Sequence, residues 1–244
     1  MGATVMTSTT LTTPRLARIF SHLSKTYPRA HIVLEHWKTP WELLVAVILS
    51  AQCTDKRVNI VTKKLFATYR KLEDYAKADV PQLERDIRST GFYHNKAKNI
   101  IAAAKLILEK FKGTVPRTMV EMLTIPGVAR KTANVVLGNA YGVVEGIAVD
   151  THVLRLSQRL RLVNLQTIGG KRVLRFERGD EAVVDFRKDA DPVKIEQQLM
   201  QAFPKKDWFK LTYLLIDHGR AVCKAQRPNC GTCPLRAYCP ASRI

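Results

Sequence analysis

The chain has 244 residues, 46% of them hydrophobic, and 40 Lys and Arg against 21 Asp and Glu give it a formal net charge of +19. The apolar fraction excludes a disordered polyelectrolyte, and the longest apolar run, Leu43 to Leu49, excludes a transmembrane helix, which needs about 20 such residues. The excess positive charge predicts a polyanionic partner, nucleic acid first, against the plainer reading of a basic and highly soluble protein.

Residues 1–14 are Thr-rich and lack the basic start and apolar core of a signal peptide, so they read as a disordered tail. Leu16 to Tyr27 has the pattern of a short amphipathic helix. Thr39-Pro40-Trp41-Glu42 has the form of a capping box with proline in the first turn, opening a buried helix through Ile48. Ser50 to Cys53 breaks that helix, and Thr54 or Asp55 caps the next, to about Tyr69. Asp79 begins another, with Leu83 and Ile87 on one face and Gly91 as its stop. Asn95 to Phe111 is long, basic and amphipathic. Further helices are expected over Thr118–Thr124, Lys131–Tyr141, Thr151–Leu160, Pro192–Phe203 and Trp208–Val222. The exception lies near 163–190, where Val173–Phe176 and Val183–Phe186 flank a Gly-containing turn and predict a β-hairpin.

Ile125-Pro126-Gly127-Val128-Ala129-Arg130-Lys131 separates two helical patterns. Proline and glycine permit a tight turn with a positive φ at Gly127. The following helix then offers unpaired N–H groups, its dipole and Arg130 to a phosphate. The plain alternative is an ordinary helical-hairpin turn. Lys131 is either a phosphate contact or an amine nucleophile, which must be unprotonated to attack. Asp150 reads first as the N-cap of the next helix, a role that fixes its carboxylate without excluding chemistry. His152 is either a core histidine or a phosphate contact.

Cys223, Cys230, Cys233 and Cys239 follow one another with six, two and five residues between. Four thiolates in so short a stretch make a full ligand set for Zn²⁺ or an iron–sulfur cluster. The single close pair and the wide first gap favour a cubane. Lys224 and Arg227 lie inside that loop, as phosphate contacts or as solvated charges. A fifth cysteine, Cys53, reads as a small apolar filler. Such cysteine usage fits a reducing intracellular compartment, and a cytoplasmic or nucleoid-associated location is expected.

Taken together, Leu49-Ser50-Ala51-Gln52, Gly91–Ala97, Pro126–Leu137, Val149-Asp150-Thr151-His152 and the four spaced cysteines resemble the endonuclease III family of DNA base-excision glycosylases. The resemblance implies an all-α, two-lobed helix–hairpin–helix glycosylase fold with a [4Fe-4S] cluster. A six-helix barrel domain would span 33–143, and a discontinuous cluster domain would join 15–32 to 144–244. The β-hairpin near 163–190 would be an insertion. Damaged double-stranded DNA would be the partner, bound by a monomer, and oxidised pyrimidines the substrate. Lys131 would be the nucleophile, forming a Schiff base at C1′, and Asp150 would stabilise developing positive charge. The backbone around Gly127 would grip the phosphodiester. Gln52 would fill the gap left by the extruded base and Phe92 would wedge opposite it; the plain alternatives are a helix C-cap and a core aromatic. Ala129 stands where the family usually has a second glycine, and a positive φ there would strain it.

Two rival readings compete. A monofunctional glycosylase of the adenine-mismatch branch lacks the lysine, so Lys131 argues against it. A DNA-binding iron–sulfur damage sensor without catalysis would not need Lys131 and Asp150 together.

Overall fold

A computed structural model describes residues 13–244. Of the stretch read as a tail, 1–12 lie outside the described residues, while Thr13 and Pro14 already open the first helix. Eleven α-helices and one two-stranded antiparallel sheet are present among the described residues. Among the described residues no helix is long and apolar enough to cross a membrane.

The chain divides into two compact units, Ile32–Ala148 and Val149–Ile244 with the N-terminal segment up to His31. The first holds α2 (Pro40–Leu49), α3 (Asp55–Thr68), α4 (Leu72–Ala76), α5 (Val80–Ile87), α6 (Tyr93–Phe111), α7 (Met119–Met122) and α8 (Arg130–Tyr141). Helix α2 is apolar on every side, and eight of its ten residues are buried, so it is the core helix of this unit. It starts where the sequence says it should: Thr39 Oγ1 accepts from Glu42 N, and Glu42 Oε2 accepts from Thr39 N. Helices α6 and α8 pack against it. Thr54, not Asp55, caps α3. The five-residue α4 was not predicted; Leu72 and Tyr75 are its only apolar anchors, too few for a periodic signal.

The second unit holds α1 (Thr13–Thr26), α9 (Thr151–Arg159), β1 (Val173–Arg178), β2 (Glu181–Arg187), α10 (Pro192–Ala202) and α11 (Lys205–Ala221). Helices α1 and α9 pack on α11, and α9 also packs on β2. Helix α11 begins three residues earlier than the pattern predicts, because Pro204 supplies the start and Lys205-Lys206 carry no apolar signal.

The hairpin packs one of its strands into the unit. Val183, Asp185 and Phe186 of β2 are buried. Arg178 donates to the Pro240 and Ser242 carbonyls, and Arg187 to that of Gly170. Arg172 also pairs with Asp189 at 3.6 Å, so these three arginines of the hairpin are engaged within the unit.

Candidate functional site

In the unit Ile32–Ala148, Gly127 takes φ +78°, the left-handed region that favours glycine. A Cβ there would stand 2.9 Å from Asn99 Cβ on α6, so the turn also needs glycine for close approach. Ala129 is the N-cap of α8 at φ −101°, ψ 171°. This is extended backbone, and alanine sits there without strain. Its methyl side chain makes no cap at the start of α8. Arg130 and Lys131 are the first two residues of α8, both half-buried.

Gln52 and Phe92 meet at a pocket of about 210 Å³ lined also by Ala51, Asn95, Lys96 and Gly127. Neither plain alternative holds. Ser50, not Gln52, is the C-cap of α2, and Phe92 is 63% exposed. Both residues adopt positive φ, +53° at Gln52 and +51° at Phe92. Such a conformation costs a side-chain-bearing residue of order 1 kcal/mol or more, and persists only when the surroundings impose it. The same pocket is lined by Lys96, a buried lysine that the sequence reading passed over. Its Nζ donates to the carbonyls of Leu49 (2.8 Å), Ala51 (2.8 Å) and Thr90 (2.9 Å). Burial lowers its pKa. A signal was available: Lys96 shares with Ile100, Ala103 and Ile107 the apolar face of α6.

In the other unit, Asp150 is the N-cap of α9, and its Oδ1 accepts from His152 N and Val153 N, both at 2.8 Å. Both bonds fall on one oxygen. His152 is half-buried, with Nδ1 3.1 Å from Arg155 Nη2 and close against Gly219 of α11. Arginine can only donate, so that nitrogen accepts.

Cys223, Cys230, Cys233 and Cys239 line one cavity together with Leu156, Leu160 and Val222. No three His, Cys, Asp or Glu of the described residues converge on a single metal-ion position. A mononuclear zinc site would bring four sulfurs within about 2.3 Å of one point. Thiols arranged around a shared apolar cavity suit a polynuclear cluster instead. Burial pushes the Cys239 thiol up to about 12 and raises Cys233 as well, so a cationic centre is what would make these two anionic. Arg159 Nη1 lies 3.3 Å from Cys223 Sγ, and His218 Nε2 lies 3.5 Å from Cys233 Sγ. Sequence reasoning missed both groups, because they stand outside the cysteine loop. Lys224 and Arg227 have exposed side chains on that loop.

The family model for the HhH-GPD superfamily of base excision DNA repair proteins matches residues 45–173, and that for the iron–sulfur binding domain of endonuclease III matches 223–239. The endonuclease III of Synechocystis sp. is 47% identical over 229 residues, covering 94% of this chain and 93% of that protein. The chain belongs to the endonuclease III family. The Bacillus subtilis endonuclease III is 45% identical over 213 residues, 87% of this chain and 86% of its own length. A trapped endonuclease III–DNA covalent intermediate, an estranged-adenine complex, superimposes with a TM-score of 0.81 at 41% identity, over 95% of this chain and 97% of that one. The endonuclease III fold, with a small two-stranded sheet, is thus the fold of this chain, and a [4Fe-4S] cluster is its cofactor.

Proposed function

We propose that this protein is a bifunctional DNA glycosylase and abasic-site lyase of base excision repair, acting on oxidised pyrimidines in duplex DNA. Endonuclease III membership supports the reaction class. The relative solved as a covalent DNA intermediate supports an enzyme-bound step. The single observation that carries the assignment is Lys131, in the first turn of α8 immediately behind the Gly127 turn, at a helix start whose N-cap residue is Ala129. A phosphate held by the N–H groups of that first turn would set the sugar beside the amine.

The Lys131 amine attacks C1′, and the bond from C1′ to the base breaks, its electron pair leaving with the base. Opening of the sugar ring gives an imine between Nζ and C1′. The imine acidifies C2′; loss of that proton expels the 3′ phosphate with the C3′–O electron pair, cutting the strand. Asp150 stabilises the positive charge that develops at the sugar and serves as the general base. Its capping bonds use Oδ1 alone, which leaves Oδ2 for that work. Gln52 enters the gap left by the extruded base, and Phe92 wedges between the bases opposite. His152, Arg130, Lys224 and Arg227 contact phosphate.

The unit Ile32–Ala148 acts as the helix–hairpin–helix domain, and the other as the cluster domain. The four cysteines hold the cluster, which fixes their loop; glycosyl transfer and elimination need no electron. Such an enzyme works on chromosomal DNA, in the cytoplasm or on the nucleoid.

Incubation with a thymine-glycol duplex and borohydride tests the reading. A covalent adduct that disappears in Lys131→Ala is expected. Base release without any adduct would make water the nucleophile and the enzyme monofunctional. Failure on both thymine-glycol and plain abasic duplexes would leave a binder without catalysis.

A further inference from the structure

Lys96 is 4% exposed, and no carboxylate pairs with it among the described residues. A buried charge without a counter-ion is costly unless fixed dipoles replace its water. Here the replacement is complete: an ammonium has three N–H groups, and three carbonyls take them at 2.8–2.9 Å. The identity of those carbonyls is informative. Leu49 is the last residue of α2, so its carbonyl is one that the helix cannot satisfy, at the negative end of the dipole. The Ala51 carbonyl belongs to the peptide group that begins Gln52. Thr90 ends the 3₁₀ turn Arg88–Thr90 and is two residues from Phe92. The Lys96 backbone N–H also donates to the Phe92 carbonyl at 3.1 Å. One residue therefore binds both sides of the pocket rim, next to each of its two left-handed residues.

We propose that Lys96 is a positioning residue for strand insertion: it holds Gln52 and Phe92 in the geometry with which they enter the duplex. The proposal rests on the reading that these two side chains insert. A lysine serving only to fill the core would have no reason to gather carbonyls from two separate loops whose exposed residues share one pocket. Releasing the ammonium would let both loops relax towards negative φ and withdraw the two side chains.

The experiment uses an abasic-analogue duplex with 2-aminopurine opposite the lesion, whose fluorescence rises when the base is unstacked. Single-turnover base release from thymine-glycol duplex at saturating protein is measured alongside. Gln52→Ala and Phe92→Ala first test the underlying reading; full wild-type signal and rate in both would sink insertion itself. With insertion established, Lys96→Met is expected to cut both readouts about tenfold in the wild-type background, which is about 1.4 kcal/mol. In a Gln52→Ala/Phe92→Ala background the same change should cost less than twofold, because its targets are gone. A full tenfold loss in that background would overturn the proposal, since Lys96 would then act through stability alone. If Lys96→Met melts below the assay temperature, Lys96→Arg runs through the same cycle. It keeps the charge on a planar fork that cannot meet three converging carbonyls equally. Non-additivity supports the proposal, and additivity overturns it.

Discussion

Gly127 meets two demands that no other residue type satisfies together: φ +78°, and an approach to Asn99 that a Cβ would bring to 2.9 Å. Gly127→Ala is therefore expected to destabilise the unit by roughly 1–3 kcal/mol and to weaken abasic-duplex binding. Thermal melts and a binding titration check this, and shrinking Asn99 to Ala should recover only part, because the Cβ contact and the φ penalty both stay. Ala129 is the opposite case. At φ −101° it needs no glycine, so the family's second glycine is not a backbone requirement of this turn. Ala129→Ser supplies a capping side chain that alanine cannot and should add about 1 kcal/mol of stability. Its hydroxyl would occupy an N–H that a phosphate would otherwise use. Melting temperature is thus expected to rise while affinity for abasic DNA falls a few-fold; a rise in both would show that the helix start does not bind phosphate.

At the scale of elements, the hairpin and the cysteine loop form one construction. Asp185 on β2 receives Arg159 at 2.6 Å and 2.8 Å and Arg243 at 3.2 Å, and Asp185 and Arg159 are both almost fully buried. Arg159 in turn donates to the carbonyls of Lys224 and Ala225, just past Cys223. The carboxylate thus orients the guanidinium that shapes the start of the cluster loop. Asp185→Ala leaves a buried cation unpaired, a loss of about 3–5 kcal/mol. The expected outcome is a lower melting temperature and faster bleaching of the cluster's visible absorbance on exposure to chelator. Bleaching at the wild-type rate, with the melting temperature lowered, would mean that hairpin docking and cluster retention are independent.

For the molecule as a whole, a net charge of +19 makes DNA affinity strongly salt-dependent. The logarithm of the binding constant should fall steeply and linearly with the logarithm of salt concentration. If the exposed Lys224 and Arg227 each neutralise a phosphate, replacing either by alanine lowers the slope by about 1. An unchanged slope would return them to the solvated surface.

Local rules read much of this protein from sequence. The capping box at Thr39, the caps at Asp79 and Asp150, the Gly127 turn, the hairpin and the cysteine set are legible because a few adjacent residues decide each of them. Lys131, Asp150 and the cysteines are legible from motif alone. What only the tertiary structure decided depends on residues distant in the chain. Lys96 gathers carbonyls 6, 45 and 47 positions away, and Arg159 and Asp185 pair across 26. The hairpin's burial and the exposure of Phe92 belong to the same class. Periodicity assigns a residue to a face, but it cannot say which distant carbonyl or carboxylate that face will meet. A buried charge is tolerated only where folding delivers such a partner.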